Sequence, residues 1–313
     1  EIYDMDNAFI FSGQGSQKEG MGKSLYLNSH IARKIYEDAD NILGERFSDF
    51  IFNASEDVLM DTRYTQPAIF IYEVAAALGQ SDFKPDCVAG HSLGEYAALV
   101  VSGTLDFEET LKFVWRRGQI FHEAFQKHPS AMGAIIGIPD DKVLSVLQTV
   151  GNEDGNSLYI ANYNGPGQLV ITGDRTSIKK ACKIFKDMGA KRAVLLPMKG
   201  VGHSPNSKEE GEILEKEIMK LSFKTPNIPI YQDVDALPHK DPVKIKENQI
   251  KLMTSPVQWT NITRNMVSNG VRNFYEVGTD DTLQKIVSRM YPDLLVTSIW
   301  TCNDYRNIKP YNL

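Results

Sequence analysis

The pentapeptide GHSLG at residues 90–94 sets a serine between two glycines, after the apolar run DCVA and before the helix-forming run EYAALVV. A free serine hydroxyl is a poor nucleophile near neutral pH. It becomes an acyl acceptor when a base takes its proton and N–H donors meet the developing oxyanion. A strand, a sharp turn and a helix around GxSxG form the context of a nucleophile elbow, in which the glycines permit the strained turn and the helix start supplies unpaired N–H groups. The chemistry implied is acyl transfer or hydrolysis at Ser92; the competing reading is a tight turn that happens to contain a serine.

Six histidines are available as the base. His30, His122, His128 and His239 stand in polar surroundings that predict exposure, and His91 adjoins Ser92 inside the turn with its side chain directed elsewhere. His203, in LLPMKGVGHSPNS, follows an apolar run and a glycine-bearing loop, a place from which a loop residue can face a site. Near the N-terminus, FIFSGQGSQKEGMG is a glycine-rich loop after an apolar run. It lacks the lysine of a GxxxxGK[ST] phosphate loop and the third glycine of GxGxxG. A loop in that position is instead suited to aim an N–H at an oxyanion, with the N–H after Ser92 as second donor.

The elements that must position these residues follow from periodicity. NAFIFSG and DCVAG are short apolar runs, each followed by a helical pattern, and this alternation predicts a parallel sheet with crossover helices. AIFIYEVAAALG, EYAALVVSG, DFEETLKFVWRRGQIFHEAFQ and NSKEEGEILEKEIMKL predict helices, the third opened by an Asp106/Glu109 capping box. From residue 131 to 198 the order is strand AMGAIIG, helix PDDKVLSVLQTV, strands SLYIANYNG and QLVITGD, helix RTSIKKACKIFKDMG and strand KRAVLLPM. That βαββαβ order is ferredoxin-like. The expected fold is α/β, a parallel-sheet body over residues 1–130 and 199–313 with a small ferredoxin-like subdomain inserted at 131–198. The site is expected in the cleft between them.

Composition narrows the function classes. Across 313 residues, 42% are hydrophobic and 24% charged, and no window holds the roughly 18 apolar residues of a membrane span, so a soluble protein is expected. The net charge of -6 and the absence of nucleic-acid signatures speak against nucleic acid as partner. Cys87, Cys182 and Cys302 make neither a disulfide framework nor a zinc pattern, which fits a reducing compartment. The chain starts at Glu1, which predicts a removed upstream segment. SIKKACKIFKDMGAKR is the local basic exception, either a solvated helix face or a docking surface for an acidic partner.

SGQGSQKEGMG, GHSLGEYAAL, WRRGQIF, ANYNGPGQLVITG and SPVQW together resemble the malonyl-CoA:acyl carrier protein transacylases and the acyltransferase domains of fatty acid and polyketide synthases, from Ala8 to about Met290. The resemblance implies an α/β-hydrolase-like body, Ser92 as acyl acceptor and His203 as its base, oriented by the backbone carbonyl of Gln258 instead of by an acid. It implies backbone oxyanion donors at Gln14 and Leu93, and Arg117 as the group that grips the malonyl carboxylate. Gln66 and Asn162 would line the pocket, joined by His91. A planar guanidinium pairs with a carboxylate through two parallel hydrogen bonds and would discriminate against acetyl and longer acyl groups. No cofactor or metal is implied, since the coenzyme A thioester is a substrate. The partners implied are malonyl-CoA and acyl carrier protein, docking on the basic helix around Lys179, Lys180, Lys183 and Lys186, with the chain a monomer. The place would be the cytoplasm in a bacterium and a plastid or mitochondrion in a eukaryote.

The departures cluster around the base. GVGHSPNS has Gly202 where relatives carry a larger residue and Asn206 with Ser207 in place of apolar packing, and EVGTDDTL replaces a glycine-containing turn; these predict a roomier acyl pocket. Two other functions stay open. A hydrolase would pass the acyl group to water without needing Arg117, and an α/β-hydrolase would carry its histidine nearer the C-terminus than His239. A non-catalytic carrier-protein-binding module would not need Ser92, His203 and Arg117 together.

Overall fold

The computed structural model describes residues 4–79, 84–198 and 202–299. Five strands of the larger sheet run parallel: β1 (Asn7–Phe11), β2 (Cys87–Gly90), β7 (Ile230–Tyr231), β9 (Asn273–Val277) and β10 (Leu295–Ile299). The short β8 (Pro238–His239) closes one edge antiparallel, giving the order β10-β9-β1-β2-β7-β8. The apolar runs of β1 and β2 are unbroken because both faces of the sheet are covered. Phe9, Phe11 and Val88 enter one core layer with the helix Thr62–Leu78, while Ala8, Ile10, Cys87 and Ala89 enter another with the helix Trp259–Ser268.

The smaller sheet comprises β3 (Ser130–Ile136), β4 (Tyr159–Gly165), β5 (Gln168–Asp174) and β6 (Arg192–Leu195) in the antiparallel order β4-β5-β3-β6. With the helices Asp140–Asp154 and Arg175–Asp187 on one face, this is the expected ferredoxin-like arrangement. Alternation along β3 divides its side chains: Ala131 and Ile135 pack under the helices, and Met132, Ala134 and Ile136 face the cleft toward the parallel sheet.

The segment SPVQW joins the two sheets. The Val257 N–H donates to the Ala161 carbonyl (2.8 Å) and the Tyr163 N–H to the Val257 carbonyl (2.9 Å), adding a one-residue parallel bridge to β4. Two local expectations are corrected. The helix opened by Asp106 (Phe107–Lys127) has no side-chain cap, because Asp106 is drawn to Lys224 (2.9 Å) and Glu109 accepts from Ser222. The helix expected from Ala68 starts at Thr62, and its in-line Pro67 is accommodated in the second turn. Cys87 and Cys182 are buried free thiols; Cys302 and Glu1 lie outside the described residues.

Candidate active site

Parallel strands build the site from their C-terminal ends, which align at one edge through pairs such as Phe11↔Gly90 and Phe11↔Val277, three of them reaching the cavity and β7 ending beneath it. β1 leads to Gln14, β2 to Ser92, β7 to Asp233 and β9 to Asp280. The cleft above this edge holds a cavity of about 290 Å³, lined from the parallel sheet by Gln14, Ser92 and Leu93 and from the small sheet by Asn162 and Asn164.

Ser92 sits in the left-handed region with φ 54°, the sharp turn expected of an elbow. The strain falls on the serine itself, and the flanking glycines serve a different need. A Cβ on Gly90 would lie 2.0 Å from the Gly94 carbonyl carbon, and one on Gly94 2.3 Å from the Phe11 carbonyl oxygen. Only glycines let strand, turn and helix Gly94–Val101 approach this closely.

Ser92 Oγ lies 2.7 Å from His203 Nε2. His203 is buried, has φ 60° and is held by its own N–H on the Met253 carbonyl (2.7 Å). Its Nδ1 donates to a carbonyl at 3.2 Å, which leaves Nε2 with the lone pair that accepts the serine proton. That carbonyl belongs to Leu252. The expected partner, Gln258, instead caps the helix Trp259–Ser268, its carbonyl accepting from Ile262 N–H at 2.9 Å. The carbonyl-for-acid arrangement therefore holds, with a residue six positions earlier. Burial, with the positive charge of Arg117 and then His91 adding to it, lowers the His203 pKa to about 3, so the imidazole is neutral over the physiological range and its Nε2 lone pair is free to accept a proton.

Arg117 is 2% exposed and lines the cavity together with Ser92 and His203. Its Nη1 donates to Gln66 Oε1 at 2.7 Å, and Gln66 is in turn fixed by donating to Thr62 Oγ1 (2.9 Å). The Phe121 ring, one helical turn further on, stacks at 4.3 Å from the guanidinium carbon, and Tyr96 flanks it at 5.3 Å. Burial lowers its pKa. Among the described residues no carboxylate forms an ion pair with Arg117, and its Nε has no hydrogen-bond partner. Asp233 and Glu95 act on it only from beyond ion-pair distance, and a buried cation without a paired carboxylate, open to a cavity, is matched to an anionic ligand.

The remaining expectations sort by position. Asn162 lines the cavity with a buried Oδ1 that has no partner. His91, expected to turn elsewhere, lines the cavity too, its Nε2 2.7 Å from Asn164 Oδ1 and its ring against Trp259. Asn164 belongs to the site as well, and its place two residues beyond Asn162 on one strand is the sequence signal for it. Gly202 and Asn206 do not line this cavity. They face a groove on the far side of the His203 loop, where a Cβ on Gly202 would lie 3.3 Å from Met253 Sδ and Asn206 Nδ2 donates to the Ser157 carbonyl. The expected enlargement of the acyl pocket is thus not located at these positions, because the loop turns Asn206 and the Gly202 backbone toward the second groove. On the basic helix, Lys180 is paired with Glu153 (2.7 Å) and Asp154 (2.9 Å), whereas Lys179, Lys183 and Lys186 are exposed with no ion pair among the described residues; Arg192 lines the cavity.

Among the described residues no helix is long and apolar enough to cross a membrane. The sequence matches the acyl transferase domain family over residues 8–303. It is 34% identical over 299 residues to the malonyl CoA-acyl carrier protein transacylase of Staphylococcus aureus (strain MRSA252), covering 96% of this chain and 97% of that protein. The crystal structure of an acyl carrier protein S-malonyltransferase from Vibrio cholerae superposes with a TM-score of 0.90 at 33% identity, covering 97% of this chain and all of that one. A malonyl-transacylase in complex with a type II polyketide synthase acyl-carrier protein gives a TM-score of 0.91 at 28% identity, covering 96% and 98%. With Ser92, His203 and Arg117 brought to one cavity and this similarity running along nearly the whole chain, the protein belongs to the malonyl-CoA:acyl carrier protein transacylase family of acyltransferases.

Proposed function

We propose that this chain moves a malonyl group from malonyl-CoA to the phosphopantetheine thiol of acyl carrier protein through a malonyl-serine ester, for fatty acid or polyketide synthesis. The observation that carries the reading is the unpaired, buried Arg117 in the same cavity as the Ser92–His203 pair. The malonyl carboxylate neutralises the guanidinium, which orients the thioester carbonyl toward Ser92 Oγ. His203 Nε2 takes the Ser92 proton as Oγ attacks the carbonyl carbon, and the N–H groups of Gln14 and Leu93 receive the oxyanion. As the carbon–sulfur bond breaks, the imidazolium returns the proton to the departing coenzyme A thiolate. In the second half the carrier-protein thiol gives its proton to His203 and attacks the ester, and Ser92 Oγ leaves and recovers that proton. The two half-reactions share one base and predict ping-pong kinetics.

Residues 1–130 and 199–313 serve in this reading as the catalytic body and 131–198 as an inserted subdomain that supplies Asn162 and the cleft's second wall. The reading takes the chain to act as a monomer. Lys179, Lys183 and Lys186 are the proposed contact for an acidic carrier protein. Reversing their charge should slow transfer to carrier protein at low salt and leave Ser92 acylation intact; unchanged transfer would remove the helix from the docking surface. The function is tested by intact-protein mass spectrometry after brief mixing with malonyl-CoA or acetyl-CoA, using wild type, Ser92→Ala and Arg117→Ala. A malonyl adduct on wild type alone, passed on to added carrier protein, is expected. An adduct lost to water, or formed equally from acetyl-CoA, would favour a hydrolase.

A further inference from the structure

Beneath the elbow, apart from the residues that line the cavity, two acids are buried together. Asp233 follows β7 and Glu95 lies in the first turn of the helix that Ser92 leads into. Both are removed from water, and neither lines the cavity. The Ser92 backbone N–H donates to Asp233 Oδ2 at 2.8 Å across 141 residues of sequence. The Asp233 N–H donates to Glu95 Oε2 at 3.0 Å, and Glu95 Oε1 accepts from the side chains of Gln232 (3.1 Å) and Gln249. Asp233 is itself anchored through its carbonyl, which accepts the Gln258 N–H at 2.9 Å.

We propose that Asp233 is a positioning residue for acyl transfer, its carboxyl oxygen holding the Ser92 amide so that the backbone keeps the turn from which Oγ reaches His203. A residue with a Cβ stays at positive φ only where its surroundings hold it there. The elbow is gripped at both ends, Ser92 by Asp233 and the helix start by the acceptors and donors around Glu95. An apolar side chain at 233 would avoid the cost of placing one acid beside another, but it would leave the Ser92 amide without its acceptor. Burial first, then repulsion by Glu95, raises the Asp233 pKa, and burial raises that of Glu95 to about 7, so a neutral acceptor suffices at position 233.

The test uses Asp233→Asn, which keeps a carbonyl acceptor in nearly the same place, against Asp233→Leu and Asp233→Ala, which have none. The readouts are the rate at which a small aryl sulfonyl fluoride labels Ser92, the malonyl-CoA acylation rate in single turnover, and the malonyl-CoA dissociation constant, all measured well below each variant's melting midpoint. Asp233→Asn should label and acylate within about threefold of wild type. Asp233→Leu and Asp233→Ala should lose roughly a hundredfold in both rates, with the dissociation constant moved by less than about threefold. If one of these two variants does not fold, the other decides. Wild-type labelling in either Asp233→Leu or Asp233→Ala overturns the assignment, as does an Asp233→Asn as slow as both. The inference rests on Ser92 as the acyl acceptor; a wild-type enzyme that takes no label would refute that function, whereas a labelled wild type with equally labelled variants would refute only the role of Asp233.

Discussion

Arg117 and the Glu95–Asp233 pair are both ionisable groups withdrawn from water near one serine, and their surroundings treat them differently. The two acids accept from the Ser92 and Asp233 amides and the Gln232 side chain and do not line the cleft, although Asp233 Oδ1 is left without a partner. Arg117 has one neutral acceptor, Gln66, two aromatic rings and an Nε without partner, and it faces the cavity. A network closed off from the cavity organises the protein, whereas a charge that faces the cavity reserves its counter-ion for a ligand.

Breaking the closed-off side should have the largest effect on stability. Glu95→Ala strands the donors of Gln232, Asp233 and Gln249 and is expected to cost about 3–5 kcal/mol of unfolding free energy by denaturant titration, with the preference for malonyl-CoA over acetyl-CoA preserved. On the open side, Arg117→Met should reverse that pattern. Malonyl transfer is expected to fall by about 2–5 kcal/mol in kcat/KM, and the discrimination between the two donors should largely vanish in steady-state assays. A retained preference would break the comparison.

Gln66→Leu leaves the cation in place but removes the side-chain acceptor at Nη1, and about 1.5–3 kcal/mol of transition-state stabilisation should be lost for malonyl-CoA, read as kcat/KM. The pH dependence sharpens the picture further. Because the His203 pKa is lowered to about 3, the base stays unprotonated as acidity rises through the usual imidazole range. Sulfonyl fluoride labelling of Ser92 should therefore change little between about pH 7 and about pH 5, where an imidazole titrating near 6.5 would lose more than tenfold. The smallest effect is expected at Gln258, whose side chain accepts from Asn261: Gln258→Ala should alter acylation by less than about 0.5 kcal/mol, which separates it from the Leu252 carbonyl that orients His203.

Local patterns were enough for much of this. The alternating apolar and turn residues placed β1, β2 and the βαββαβ order, and the glycines of GHSLG marked the elbow, because pleat and helix periods and the room that only glycine leaves are properties of neighbouring residues. The quoted motifs, taken together, carried the family and pointed to Ser92, His203 and Arg117 as its working residues. What stayed hidden depends on distant chain segments meeting. Which carbonyl receives His203 Nδ1 is decided by how the helix Pro242–Leu252 ends against the His203 loop, so Leu252 replaced Gln258. The turn of Gly202 and Asn206 toward the second groove, the pairing of Lys180 and the alignment of Asp233 under Ser92 arise in the same way. A residue's type states which interactions it can make, but burial and the distance to a partner far along the chain decide which of them it does make, and those are set only when the two sheets close over the cleft.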